Sequence, residues 1–167
     1  MPARLRVHPR WWSERVTIGL PFRRPDAMPL TLDQANRIIA TALARSAEAG
    51  YKPMGVVVLD DAGHIKAVQR QDGASMLRVD IATGKAWAAI GMGAASRVLT
   101  QRAKDLPAFF NAIAASAQGK FIPQTGAVLI KDESGKVLGA VGASGGTGDE
   151  DEEIGIAGIL AAGLVHG

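Results

Sequence analysis

Gly126-Ala127-Val128-Leu129-Ile130-Lys131, Asp132-Glu133-Ser134-Gly135 and Lys136-Val137-Leu138-Gly139-Ala140-Val141-Gly142-Ala143 read as a strand, a turn and a returning strand. The outer runs are apolar and partly β-branched, and the middle four residues hold the Asp, Ser and Gly that tight turns use. A second hairpin precedes it. Gly55-Val56-Val57-Val58-Leu59-Asp60 is a short apolar run, and Asp60-Asp61-Ala62-Gly63 turns it into His64-Ile65-Lys66-Ala67-Val68-Gln69-Arg70. Helical spacing surrounds both. Thr31-Leu32-Asp33-Gln34 has capping-box form, and Ala35, Ile38, Ile39, Ala42, Leu43 and Ala47 continue a helix over about 31–49. Ser75 is positioned to cap a long helix carrying Met76, Val79, Ala82, Ala86 and Ile90, ending near Gly91 or Gly93. Residues 96–118 predict one or two short helices interrupted by Pro107, with Leu106, Phe109, Phe110 and Ile113 packing inward, and a last helix runs to about Val165. The order is α-ββ-αα-ββ-α. Hairpins separated by helices imply an α+β fold with an antiparallel sheet, not a doubly wound parallel one.

The chain has 167 residues, 47% hydrophobic and 21% charged, which suits one domain with an ordinary core. It has no cysteine, so disulfides, thiolate metal sites and a cysteine nucleophile are excluded. Its histidines are His8, His64 and His166, and none forms a His-x-x-x-His or Glu-x-x-His pair; no metal site is expected. The net charge of +3 is unevenly placed. Residues 1–30 hold six arginines against Glu14 and Asp26, while the remainder is close to neutral. That division predicts a basic, irregular arm over 1–30 and a domain over 31–167. A basic arm without a basic folded face argues against nucleic acid. Trp11, Trp12 and Phe22 are costly to leave in water, so the arm is expected to pack on its own domain or on a neighbouring subunit of a homo-oligomer. With neither a secretory signal nor a membrane span in view, the expected location is the cytoplasm.

The second hairpin runs into Ser144-Gly145-Gly146-Thr147-Gly148-Asp149-Glu150-Asp151-Glu152-Glu153. Three glycines within five residues let backbone approach a ligand, and Thr147 or Asp149 can cap the helix that follows. Successive N–H groups at such a turn can form an anion-binding nest. The acids equally well complement the helix dipole, as in any soluble helix. Asp149, Asp151 and Glu152 are candidates for a general base. Ser144 is no hydrolase nucleophile, because the Gly-x-Ser-x-Gly spacing is missing. Lys85, if partly buried, suits an oxyanion or a proton transfer, and a solvated lysine fits its position as well. Arg70 and Asp72 sit where the first hairpin leaves the sheet; they suit a carboxylate clamp or, equally, a turn-capping salt bridge. Gly84 inside a helix implies close packing by a helix or a ligand.

Arg70-Gln71-Asp72-Gly73-Ala74, Asp80-Ile81-Ala82 with Lys85-Ala86, and Gly142-x-Ser144-Gly145-Gly146-Thr147 with Asp151-Glu152 resemble the GlcG and haem-binding-protein (HbpS-like) family. That family is similar to the C-terminal domain of certain corrinoid adenosyltransferases. The resemblance covers roughly residues 30–165. It implies a profilin-like antiparallel sheet flanked by helices, frequent homo-oligomers and, in some members, haem. No histidine lies in the first helix, and His64 beside a turn reads as a solvated residue rather than an iron ligand.

Together these readings predict a small-molecule pocket protein. Arg70, Asp72, Ser144, Gly145, Gly146 and Thr147 are expected to hold a small oxygenated or carboxylated metabolite. Lys85, Asp149, Asp151 and Glu152 would move protons in a cofactor-independent isomerase, tautomerase or lyase. The alternatives are a haem- or tetrapyrrole-binding protein without turnover, the cofactor being implied by the resemblance alone, and a structural oligomeric module.

Overall fold

The computed structural model describes residues 29–167. The basic arm with Trp11, Trp12 and Phe22 lies outside the described residues. The elements are α1 (Leu32–Glu48), β1 (Gly55–Asp60), β2 (Ile65–Arg70), α2 (Leu77–Met92), α3 (Ser96–Asp105), α4 (Pro107–Ser116), β3 (Ala127–Lys131), β4 (Val137–Ser144), α5 (Gly148–Ala161) and β5 (Val165–His166). Both predicted hairpins form, and they join along β1 and β4 into one antiparallel sheet of order β2-β1-β4-β3-β5. The α+β class is that expected, and so is the order of the elements through α5.

Side-chain alternation along the strands splits the core between the two faces of the sheet. Val56 and Val58 of β1, Val128 and Ile130 of β3, and Val141 and Ala143 of β4 meet Ile38, Ile39 and Ala42 of α1 and Ile154 and Ile159 of α5. Val57, Leu59, Ala127, Leu129 and Ala140 point the other way, onto Ala82, Ala86 and Ala89 of α2. Burying each such valine or leucine fully stabilises by about 1.5–3 kcal/mol. The alanine face of α2 brings that helix very close to the sheet. A Cβ at Gly142 would stand 2.2 Å from the Ala82 carbonyl oxygen, so β4 and α2 touch backbone to backbone there. A third cluster, Ala88, Leu99, Phe110 and Phe121, seats α3 and α4 against the outer side of α2.

Capping places the two helices of the other layer. Thr31 and Gln34 form the expected capping box at α1, and Thr147 with Glu150, rather than Asp149, forms one at α5. Pro107 begins α4 at its first helical position, where a missing N–H costs nothing.

Three local expectations are corrected. The last helix ends at Ala161, because Gly163 adopts φ +72° and the Leu164 N–H folds back to the Ile159 carbonyl at 3.2 Å. The chain released there becomes β5, whose Val165 and His166 pair with Lys131 and Ile130. Ser75 does not cap α2; Met76 holds that position in a helical conformation with no side-chain cap. Leu106 and Phe109, expected to pack, are exposed; Phe110 packs as expected, joined by Phe121.

Candidate functional site

Two clefts flank α2, and helical periodicity sorts its residues between them. Arg78, Ile81 and Lys85, spaced three and four apart, line a polar cleft of about 410 Å³ with Gln124, Thr125, Ser144, Gly146, Gly148, Asp149 and Asp151. Asp80, Thr83, Gly84 and Trp87 line a second cleft of about 610 Å³, with the β1–β2 turn (Ala62 to Ile65) and Gln118 to Lys120. The segment 118–125 separates them. Its Ile122 donates its N–H to the Gly84 carbonyl at 3.2 Å and lies where a Cβ on Gly84 would come within 2.6 Å. Gly84 is thus explained by this crossing of chain over helix.

The floor of the polar cleft is a buried ion pair. Lys85 Nζ donates to Asp151 Oδ2 at 2.8 Å and to the Ala143 carbonyl at 3.1 Å, with side-chain exposures of 7% and 2% for the two partners. The remaining carboxylate oxygen, Asp151 Oδ1, accepts the Gly146 N–H at 3.1 Å. Gly126, at φ +124°, leaves room for this pair, since a Cβ there would stand 2.7 Å from Nζ and 2.8 Å from Asp151 Cβ. The pair therefore clamps α2 to the first turn of α5 beneath the glycine-rich bend.

The other acids of α5 are engaged elsewhere. Arg97 of α3 donates through Nε to Glu152 Oε2 at 2.8 Å and through Nη2 to Asp149 Oδ1. Both bonds hold the guanidinium pKa well above its ordinary value, the Asp149 hydrogen bond contributing most. Glu153 accepts from Tyr51 Oη at 2.6 Å and from Arg45 Nη2 at 2.7 Å, and these bonds, led by that from Tyr51, lower its pKa below the usual glutamate range.

Of the expected site residues, Lys85, Asp151, Ser144, Gly146 and Asp149 come together at the polar cleft. Glu152 adjoins it through Arg97. Gly145 and Thr147 face a neighbouring depression with Tyr51 and Lys52. Arg70 and Asp72 do not join them. They line a separate depression beside α1, where Arg70 donates to the Ala74 carbonyl and braces its own turn. Two arginines that the sequence reading passed over do reach the site, Arg97 through the acids and Arg78 directly. Arg78 Nη1 points at Ser144 Oγ, 3.4 Å away. The signal for Arg78 was available: it lies seven residues before Lys85, two turns along the same helix face.

In the larger cleft, the side chain of His64 is 81% exposed, and its Nδ1 stands 3.8 Å from Asp60 Oδ1. Asp60 Oδ1 also accepts the N–H groups of Ala62 and His64, at 3.1 and 2.9 Å, which fixes the turn. Gly63, at φ +80°, lies against the Trp87 indole; a Cβ there would meet the ring at 3.2 Å. Trp87 thus supports the turn that presents His64. Among the described residues no helix is long and apolar enough to cross a membrane, and no group of three or more His, Asp or Glu side chains is arranged to hold a metal ion.

The chain is 28% identical over 138 residues to the corrinoid adenosyltransferase PduO of Citrobacter freundii, a match covering 83% of this chain. It spans only 40% of that protein's length. Among solved structures, PduOC in complex with haem superposes with a TM-score of 0.74 at 23% identity, covering 83% of this chain and 98% of that one. HbpS of Streptomyces reticuli, as a double mutant, superposes with a TM-score of 0.69 at 23% identity, covering 95% and 97%. At such identities these two structures establish the fold, including its flanked antiparallel sheet. Residues 30–160 match the family described as haem degrading protein HbpS-like, so the chain belongs to the HbpS-like family.

Proposed function

We propose that this chain binds haem or a related tetrapyrrole in the larger cleft beside α2. The observation that carries the reading is the convergence of His64, Trp87 and Lys120 on that cleft. Imidazole is a ligand for haem iron, and a carboxylate beside Nδ1 is the arrangement that orients such a ring and leaves Nε2 for a metal. Asp60 Oδ1 lies 3.8 Å from Nδ1, beyond hydrogen-bond distance but close enough to reach it by a small ring rotation. Trp87 and Ile65 offer apolar surface to a flat macrocycle, and the Lys120 ammonium suits a propionate. This donor set fits the group, and the cleft lies within the usual size range of ligand sites. When bound, haem would supply a redox-active iron; the chain's part would be to bind and orient it, with Asp60 beside the imidazole. The HbpS-like family and the haem complex of PduOC support this reading. None of the relatives named above is described as an isomerase, tautomerase or lyase, and the expected proton-transfer chemistry gives way to binding.

Titration of the purified chain with haemin, followed by Soret absorbance and by electron paramagnetic resonance, tests this. The expected result is a saturable Soret band with a one-to-one endpoint. His64→Ala should weaken binding about tenfold or more and change the spin-state signature, as loss of an iron-holding imidazole would. Absence of saturation, or identical spectra and affinity for His64→Ala and wild type, overturns the proposal.

A further inference from the structure

The polar cleft on the other side of segment 118–125 is a separate matter from the haem reading, and its chemistry points to a different ligand. Each cation at or beside this cleft has a carboxylate partner, with one exception. Lys85 is matched by Asp151, and Arg97 by Asp149 and Glu152. Arg78 has no carboxylate partner among the described residues, and its guanidinium reaches only the Ser144 hydroxyl.

Several donors at the cleft are left over. Ser144 is 2% exposed, and its hydroxyl receives Arg78 but has no acceptor for its own proton among the described residues. Lys85 has three N–H bonds, of which Asp151 and the Ala143 carbonyl take two. Each oxygen of Asp151 accepts one hydrogen bond, from Lys85 and from the Gly146 N–H, so its charge is matched by the ammonium beside it. The N–H groups of Gly148 and Asp149, in the first turn of α5, carry no hydrogen bond among the described residues and lie at the cleft edge. Buried donors without acceptors are costly, and a ligand oxygen relieves that cost. A guanidinium, a hydroxyl and an ammonium that surround one space with N–H and O–H groups to spare are complementary to an oxyanion. The volume of about 410 Å³ suits a small molecule, and Arg78, the one cation at the cleft without a carboxylate partner among the described residues, suits a single negative charge.

We infer that this cleft binds a small organic monocarboxylate, with Arg78 gripping the carboxylate and Ser144 and Lys85 donating from the floor. Arg78 sets affinity; Ser144 sets orientation. Lysine at position 78 keeps the charge and loses the planar fork, so it retains only part of the affinity.

The test is an amide chemical-shift titration of the isotope-labelled full chain with lactate, acetate and inorganic phosphate at constant ionic strength. Lactate is expected to shift the Gly146, Gly148 and Asp149 amides saturably and more tightly than phosphate. Arg78→Ala should weaken it tenfold or more, Arg78→Lys by an intermediate factor and Ser144→Ala by a few fold. Arg102→Ala, an exposed charge on α3, should leave it unchanged. Unchanged thermal unfolding of Arg78→Lys separates lost contact from lost fold. The proposal is overturned by absence of saturation with both carboxylates, by phosphate binding more tightly than lactate, or by equal lactate affinity in wild type and both Arg78 variants.

Discussion

The two sets of ion pairs that hold α5 in place involve neighbouring residues and differ in almost every physical respect. Lys85 and Asp151 are buried, hydrogen-bonded to each other and enclosed by the backbone of Gly126 and Ala143. Arg97 ties down Asp149 and Glu152 at the surface, with 55% of the arginine side chain and 80% of the Asp149 side chain exposed. Water screens the second set and is excluded from the first. Acids two residues apart in sequence thus carry very different energetic weight, and spacing alone does not reveal which is which.

Removing one partner of the buried pair is the strongest way to break that contrast. Asp151→Leu strands the Lys85 ammonium in a dry site and is expected to cost about 3–5 kcal/mol in denaturant unfolding. Adding Lys85→Met should recover most of the loss, because a buried pair replaced as a whole by apolar groups is near neutral. A single-variant cost below about 1 kcal/mol would place the pair in solvent instead. Arg97→Ala is expected to cost no more than about 1 kcal/mol, and the difference should shrink further in high salt, since the pairs it breaks are exposed. A loss that is large and insensitive to salt would mean that the α3–α5 contact is desolvated.

The smallest effect lies at Glu153. Its folded pKa is lowered by Tyr51 and Arg45, so it binds its proton less readily in the folded than in the unfolded chain. Its contribution is therefore fully present above the ordinary value of 4.5 and is lost as the pH falls through the lower folded value. Wild type should be more stable than Glu153→Gln near neutral pH, and the gap should close on acidification. A gap that widens toward low pH would reverse the sign of this linkage.

Much of the fold was legible because its signals are local. The hairpins of 55–70 and 126–143 announce themselves through apolar runs and Asp/Gly turns, and the capping boxes at Thr31 and Thr147 need only four residues each. β5 was missed because two residues have no periodicity to read; only the unpaired edge of β3 makes Val165 and His166 a strand. In the candidate site, the glycine bend and Asp151 were legible as a cluster. The partnership of Asp151 with Lys85 was not, since 66 residues and two layers of the fold intervene. Arg70 and Asp72 misled for the complementary reason: their position at a strand end is typical of ligand residues, but β2 is an edge strand and carries them away from α5. His64 likewise gains a cleft to face only because Trp87, 23 residues further on, lies against its turn.

What the sequence by itself determined is the set of elements, their order and the antiparallel character of the sheet, all consequences of short-range hydrophobic pattern, turn chemistry and capping. Tertiary structure alone decided which charges are spent and which remain available. Arg78 and Lys85 share a face of α2, yet β4 and α5 supply a carboxylate to one and only a hydroxyl to the other. The physical reason is that a side chain's charge is written in its residue type, whereas its desolvation and its partner depend on which distant segments the packed sheet brings against it.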